Sequence, residues 1–465
     1  MQLSAPPNMD EAKQQGEEKQ ESQKWPTIST VLDNGSIVEL LYDPREKRTS
    51  FAVWKDGSWH RQQTLKLGAK ELLVPYSPQN NLIQHHVVLL PSQAEEYGSE
   101  EELIASIREY IHRYVDVSPR FERIACLYVL LSWVYDSFNE VPYLRLRGDF
   151  GCGKTRFLLT VGALCYKAVF ASGASTVSPI FHILDAFRGT LILDEGDFRF
   201  SDEKAEIVKI LNNGNVRGLP VLRSQVTPQR EFNPRAFHVF GPKMIAMRGT
   251  YEDRALESRF ITENMAGGRL REDISISLNS AYKEEALSLR NKLLLYRFRN
   301  YGMKLPDGLL DDASIEPRFR QIFIPLLAVA RDPSTREELH RLALAYHRDL
   351  RDERSEEAEG QVLQIIHDLM TSEERTSLPI KEITAAFNDR HRDEYGGPVI
   401  NKWIGMLIRK KLGLRTHKSH GNFVIPVSER SKLEHLYERY GTHKADTVPS
   451  KRVDVGDVGD VGEAA

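Results

Sequence analysis

The sequence predicts an α/β fold in which a parallel sheet lies between helices, and three observations predict it. The run Gly148-Asp149-Phe150-Gly151-Cys152-Gly153-Lys154-Thr155 has the spacing G-x-x-x-x-G-K-T, the pattern of a phosphate-binding loop. Val141 to Arg147 before it reads as a strand, and Arg156 to Cys165 after it reads as a helix. A second apolar run, Thr190-Leu191-Ile192-Leu193-Asp194-Glu195, reads as a buried parallel strand ending in two carboxylates.

Each element has a physical reason. Gly148, Gly151 and Gly153 let the backbone turn tightly and bring its N–H groups toward phosphate oxygens. The loop positions Asp149, Phe150 and Cys152 contribute backbone to the same cradle. Lys154 is spaced to reach the β- and γ-phosphates and Thr155 to ligate Mg²⁺. Strand, loop and helix come in the order that aims a helix N-terminus at the anion. Asp194 is expected to hold the same Mg²⁺ and Glu195 to act as general base on the attacking water. Taken singly, each run has a plainer reading: a Gly-rich turn in another α/β fold, or a core strand with a surface acidic pair. The two together point to a nucleotide site with ATP and Mg²⁺ as cofactors.

At 465 residues the chain is long enough for two to four domains. With 41% hydrophobic and 28% charged residues it has the composition of a soluble globular protein. The net charge of −3 excludes a global pull toward nucleic acid, so such contacts must come from local patches. Cys126, Cys152 and Cys165 lack C-x-x-C spacing, which predicts a reduced cytoplasmic protein without structural zinc. Met1 to Lys24 is polar and has no apolar core, so it does not read as a signal peptide. No run has the length of a membrane span.

Residues 1–25 are expected to be disordered. From Trp25 to Ser92, β-like runs such as Ser36–Tyr42 and Thr49–Trp54 flank turn signals, which predicts a small antiparallel domain. Its aromatics Phe51, Trp54 and Trp59 are read either as core or as a nucleic-acid platform. Glu101–Tyr114 and Arg120–Tyr135 read as a helical lead-in. Tyr166–Ser172 reads as a strand, and Ser178–Ala186 and Asp202–Asn212 read as helices. Arg217–Arg223 and Phe237–Phe240 read as the arms of a β-hairpin, followed by a core strand, Lys243–Met247. Arg223, Arg230 and Arg235 lie on or beside that hairpin, where they are either solvated charges or contacts to a phosphate backbone.

The next stretch is Asp253-Arg-Ala-Leu-Glu-Ser-Arg-Phe260. The ordered set of lead-in helices, phosphate loop, Asp-Glu strand, hairpin and D-R-A-L-E-S-R-F resembles AAA+ ATPases, above all the replicative helicases of phage, plasmids and other mobile elements. The S-R-F element also resembles the arginine-finger motif of minichromosome-maintenance helicases. The resemblance covers about residues 100–430. It implies that Arg259 reaches the γ-phosphate held by the neighbouring subunit, with a homohexameric ring as the assembly. It also implies a polar sensor, usually Asn, after the core strand. The sequence departs there, offering Arg248 or Thr250 in Met247-Arg248-Gly249-Thr250.

Residues 266–350 read as a helical lid, with Tyr282–Tyr296 and Arg318–Arg331 as its clearest helices. Arg318 or Arg320 is its candidate contact to nucleotide in cis. From 355 to 430, three helices and a basic hairpin form a winged-helix pattern. Lys402, Arg409, Lys410, Lys411, Arg415 and Lys418 cluster on its third helix and wing, which favours DNA. The tail from 431 ends in a Val-Gly-Asp repeat and is expected to be disordered.

The expected architecture is thus an α/β P-loop AAA+ core over 98–265, with a helical lid, a small N-terminal β domain over 26–92 and a C-terminal winged helix. The expected function is an ATP-driven DNA motor, a replicative helicase. The expected partners are DNA, further copies of the chain, and replication proteins such as a primase, polymerase or initiator. A DNA-bound switch that hydrolyses ATP without unwinding and a nucleotide-held scaffold are the alternatives. Glu195 counts against the scaffold, which has no use for a base.

Overall fold

In the computed structural model the described residues are 23–442, apart from 69–70, 197–200, 225–232, 252, 266–269, 305–307, 311–314, 372–375, 393, 396 and 420. For 201–204, 254 and 350–356 only the backbone is described. The expectation for residues 1–22 lies outside this set, whereas Gln23–Thr27 is already a strand.

The N-terminal strands are β1 (Gln23–Thr27), β2 (Ser29–Val31), β3 (Ile37–Asp43), β4 (Arg48–Lys55), β5 (Ser58–Gln62), β6 (Leu65–Lys66) and β7 (Glu71–Pro75). The turn after β3 is set locally, because Asp43 Oδ1 accepts from the backbone N–H of Arg45 at 2.9 Å. Strands β2-β3-β4-β5 form an antiparallel sheet, and β1-β7-β6 form a second sheet. The expectation of a purely antiparallel arrangement is corrected here, since β1 pairs β7 in parallel. The whole first sheet lies between them in the chain, and so long a crossover permits parallel pairing.

These strands do not keep a core to themselves. Val38, Leu40, Phe51 and Val53 pack in one cluster with Val169 and Phe187 of the following region. Of the three aromatics, Phe51 is fully buried in the core, and the half-buried Trp54 stacks on Phe298 at 5.5 Å.

Helix α1 (Asn81–Gln84) leads to α2 (Glu100–Tyr114) and α3 (Pro119–Val134). A capping box between Ser99 and Glu102 starts α2, and Ser118 caps α3 with Pro119 in its first turn. Helix α3 is apolar nearly all round and is buried along its length.

The central sheet follows as β8 (Tyr143–Arg147), α4 (Lys154–Val161), β9 (Val169–Ser172), α5 (Val177–Phe187), β10 (Leu191–Asp194) and α6 (Ser201–Asn213). A hairpin of β11 (Val221–Arg223) and β12 (Arg235–Phe237) is inserted before β13 (Lys243–Met247). A short helix, α7 (Arg254–Glu257), then precedes β14 (Phe260–Asn264). The sheet order is β14-β8-β13-β10-β9. Every neighbouring pair is parallel. The central sheet is thus parallel and five-stranded, consistent with a P-loop AAA+-like fold. Strand β14 is not foreseen from the sequence, where Phe260-Ile-Thr-Glu-Asn264 is largely polar and runs on from the helix end before it.

Helices α8 (Ala281–Asn300), α9 (Pro317–Val329) and α10 (Pro333–Glu356) follow. The lid expectation is corrected for α8. Its Arg290, Asn291, Arg297 and Asn300 are all buried. Arg297 bonds Glu39 at 2.8 Å and Asn291 bonds Ser92, so α8 is clamped into the body instead of covering the loop. Periodicity reads these polar residues as a solvent face, and only their distant partners make their burial possible.

The chain forms two compact units, with the boundary between Leu342 and Ala343. The second unit holds α11 (Ala358–Thr371), β15 (Ser377–Pro379), α12 (Ile380–His391) and α13 (Asn401–Met406). A π-turn over Leu407–Lys411 continues α13, and β16 (His417–Ser419), β17 (Asn422–Pro426) and α14 (Arg430–Tyr440) complete the unit. Its sheet order is β15-β17-β16, all antiparallel. Helix α14 corrects the expectation of a tail from 431. Leu433, Leu436, Tyr437 and Tyr440 recur on one face and enter the same core as Ile383 and Ile404.

Candidate active site

The site is built where β8 runs into α4. The chain leaves β8 at Arg147, and the Gly148 N–H donates to Met247 O at 3.3 Å. Gly148 has no room for a side chain, because a Cβ there would lie 2.5 Å from Met265 O and 2.9 Å from Cys152 Sγ. Gly151 and Gly153 adopt φ of +75° and +92°, in the left-handed region that favours glycine. Gly153 thereby becomes the N-cap of α4, whose first residues are Lys154 and Thr155. Local glycine chemistry thus turns a strand into a helix with its N-terminus facing the loop.

The Lys154 ammonium is folded onto its own loop. Its Nζ donates to Gly148 O at 2.7 Å and Asp149 O at 2.6 Å, and lies 3.5 Å from Cys152 Sγ. Thr155 Oγ1 donates to Asp194 Oδ2 at 2.7 Å. The structure therefore brings together the two motifs singled out in the sequence. Strand β13 lies between β8 and β10, so their ends stand two strand spacings apart, about 9.5 Å. A hydroxyl and a carboxylate across that gap are hard oxygen donors, the ligand type of Mg²⁺.

Strand β10 ends at Asp194, and the chain reverses at Glu195, which holds φ +55°. The reversal is pinned on both sides. Gly173 N–H donates to Asp194 O at 2.9 Å, and Gly196 N–H donates to Ala246 O at 2.8 Å. The Glu195 side chain is exposed. Non-glycine residues seldom occupy this conformation, and such strain gathers at functional positions.

Met247 ends β13 in register with Arg147, so Arg248 follows directly beside the loop. Its guanidinium lies 3.4 Å over the Phe150 ring, which is 76% exposed. The sequence offers Arg248 as a stand-in for the usual Asn but gives no direct hint of this stack. An aromatic inside the loop is the one signal that could have pointed to it. Thr250, the other candidate, lies further along the same exposed turn.

Arg259 sits between α7 and β14. Its backbone O accepts from Tyr143 N at 2.9 Å, which places it at the start of β8, while the phosphate loop follows the end of that strand. Five strand residues separate the two, about 16 Å at 3.3 Å each. The guanidinium donates to Asn212 Oδ1 at the end of α6. Burial and the nearby Arg318 guanidinium lower its pKa, partly opposed by Tyr143 and Asp253. The Arg318 guanidinium is thus a neighbour of the Arg259 guanidinium. Glu257 and Glu263, the obvious carboxylate partners for Arg259, are otherwise engaged. Glu257 accepts from Arg145 at 2.6 Å and Glu263 from Ser118 N at 2.9 Å. Asn212 is not legible as its partner in the sequence because it lies 47 positions away.

The candidate DNA contacts divide. Arg223 pairs with Glu206 and lies 4.2 Å over the Phe181 ring. Arg235 pairs with Asp185 at 3.4 Å. Arg230 lies outside the described residues. In the second unit Lys402, Arg409, Lys410, Lys411, Arg415 and Lys418 are all exposed. Lys402 and Arg409, seven apart, share the outer face of α13 and its π-turn, while Ile404 and Ile408 are buried. Arg409 lies 5.6 Å over the ring of the exposed Phe423 on β17.

No family model and no curated protein sequence matches the chain. Among solved structures it is similar to the apo A form of the NrS-1 C-terminal region, at TM-score 0.35 and 11% identity, covering 84% of this chain and 96% of that one. It is also similar to Drosophila ORC bound to DNA, at TM-score 0.17 and 12% identity over 75% of this chain and 96% of that one. A third is CDC6P from Pyrobaculum aerophilum, at TM-score 0.18 and 12% identity over 72% of this chain and 96% of that one.

Proposed function

We propose that the chain is a Mg²⁺-dependent AAA+ ATPase that acts on DNA as a ring-forming motor, a replicative helicase. The observation that carries this reading is the 2.7 Å hydrogen bond between Thr155 and Asp194 at the mouth of a glycine-built loop. The loop N–H groups and the α4 N-terminus receive phosphate oxygens. Lys154 leaves the Gly148 and Asp149 carbonyls to pair with them. Thr155 and Asp194 would hold Mg²⁺, which would supply positive charge to offset that of the phosphates. Glu195 takes a proton from the attacking water at its carboxylate. Arg259 is a strand length from its own loop, beyond the reach of its side chain. This supports a role in the site of an adjacent copy, and hence a ring. The exposed basic face of Lys402, Arg409, Lys410, Lys411, Arg415 and Lys418 supports DNA binding, with the second unit read as a winged helix.

The pairing of Arg223 with Glu206 and of Arg235 with Asp185 favours one second reading. If these hairpin arginines stay paired, the protein is a DNA-bound switch that hydrolyses ATP without moving. ATP turnover with and without single- and double-stranded DNA, run beside native mass measurement and strand displacement, decides. A motor shows DNA-stimulated turnover, a ring mass and displacement, and a switch shows the first two alone. Absence of ATP turnover overturns both.

A further inference from the structure

A cleft of about 710 Å³ lies away from the phosphate loop. One wall is the segment Pro26–Val31, and the other is formed by Arg217–Pro220 and His238–Phe240 at the foot of the hairpin. Strand β2 is the edge of its sheet. Leu40 N–H donates to Ile28 O at 2.8 Å, and Thr30 stands opposite Val38. In an antiparallel ladder the hydrogen-bonded pairs alternate, so residues 28 and 30 face β3. The backbone groups of Ser29 and Val31 therefore point the other way, and both residues line the cleft. An open strand edge in a cleft is a template for an added strand.

The charges in the cleft say what that strand carries. Its three acids are all engaged. Glu39 takes Lys167 at 3.0 Å and Arg297 at 2.8 Å. Burial acts to raise its pKa, but Lys167 and Arg297 outweigh it and hold the carboxyl below its ordinary value. Asp136 takes Arg297 at 2.7 Å, and Asp185 takes His238 at 3.0 Å. Two arginines remain. Arg188 and Arg217 are exposed and have no carboxylate partner among the described residues. Both are held in place. Arg188 O accepts from Tyr135 OH at 2.7 Å, and the Arg217 guanidinium lies 5.4 Å over the Phe240 ring. The rim adds apolar surface at Val31, 44% exposed, and Leu219, 53% exposed.

We propose that this cleft is a docking site for an extended acidic peptide of a partner protein, which adds as a strand to β2. Acidic side chains pair with Arg188 and Arg217, and alternate small apolar side chains cover Val31 and Leu219, since successive strand residues face opposite sides. A nucleic-acid strand would satisfy the arginines but would have no use for the open backbone edge.

The test uses the full chain and fluorescence anisotropy with a labelled synthetic peptide of about ten alternating Val and Asp residues. A Val-Asn peptide and a labelled oligothymidylate serve as comparisons. The Val-Asp peptide is expected to bind, with affinity that falls as salt rises, and at least about tenfold more tightly than the Val-Asn peptide. The double variant Arg188→Glu, Arg217→Glu should lose that binding while basal ATP turnover stays unchanged. Val31→Pro should also lose it, because it removes one outward N–H while leaving the β3 ladder intact. Failure of the Val-Asp peptide to bind overturns the proposal. So does binding that survives Val31→Pro, or an oligothymidylate signal that the arginine variant alone abolishes.

Discussion

Lys154 donates to carbonyls of its own loop. The turn itself is set by Gly148, Gly151 and Gly153, so the loop should keep its shape when the charge is removed. Lys154→Ala should therefore fold normally, yet lose tight nucleotide binding and turnover, because a point charge on the phosphates is gone. Equilibrium binding of a fluorescent ATP analogue together with a phosphate-release assay checks this, and normal hydrolysis would sink the assignment of the site. Glu195 separates binding from chemistry. Glu195→Gln keeps the side-chain shape and loses the base, so it should bind ATP and hydrolyse it at least about 100-fold more slowly. The backbone offers an independent reading at the same residue. Its φ of +55° suits glycine, so Glu195→Gly should melt no lower than the parent protein although it is equally inactive. A clear drop in Tm would mean that the Glu195 side chain holds the turn together.

At the scale of elements, the segment from α7 to β14 is braced as a unit. Arg145 on β8 reaches Glu257 at 2.6 Å and Thr262 at 3.0 Å, which holds the helix end carrying Arg259 against the sheet. Arg259→Ala should leave ATP binding nearly intact and lower turnover by about 10³-fold or more, the scale of an arginine finger. Mixing it with Lys154→Ala should restore part of the activity, since some interfaces then pair an intact loop with an intact finger. If mixing restores nothing and Tm falls, Arg259 serves its own subunit through Asn212. The hairpin has a comparable brace. Lys243 is fully buried, and its Nζ donates to Gly214, Val239 and Gly241 carbonyls at 3.2, 2.9 and 2.9 Å, on both sides of the insertion. Lys243→Met leaves those carbonyls unsatisfied and should destabilise the protein by at least about 2 kcal/mol in denaturant titration. Burial pushes the Lys243 pKa down to about 7, against about 10.5 for the unfolded chain. The unfolded chain binds more protons between those values, so this residue makes stability rise with pH from about 7 to 10.5. The Met variant should lack that component of the slope.

At the scale of the whole molecule, the first unit is tied together by charge as well as by apolar packing. Glu39 on β3, Lys167 before β9 and Arg297 on α8 meet in one buried cluster at the base of the cleft, with Tyr166 OH donating to Glu39 at 2.7 Å. Removing one member strands the others in a buried site, which is far more damaging than breaking a surface pair. The second unit carries the basic face. Each cation removed from a DNA phosphate should flatten the dependence of log K on log salt by about 0.9 for duplex DNA. The variant Lys402→Ala, Arg409→Ala should therefore weaken DNA binding, flatten its salt dependence by nearly 2 on that scale, and spare basal ATP turnover. Binding that does not change with salt would mark this unit as a protein-interaction module.

The contrast between what was legible and what was not follows chain distance. The phosphate loop, the Asp194 strand, the hairpin and the third helix of the second unit could be read from the residues themselves, because glycine spacing, apolar runs and basic clusters act within a turn or two of backbone. Strand β14 escaped, since its largely polar run takes its strand identity from pairing with β8, more than 100 positions away. The partners of Arg259 and of the hairpin arginines escaped for the same reason, as did the burial of Arg290 and Arg297 on a helix read as a lid. Residue types by themselves determined a glycine-spaced loop ending in Lys154 and Thr155, followed in order by an apolar strand ending in Asp194 and Glu195. Only the tertiary structure decided which strands stand between them, which charges are enclosed, and which strand edge and arginines face an open cleft. Backbone turns are set by neighbouring residues, whereas burial and pairing depend on groups that only the fold brings together.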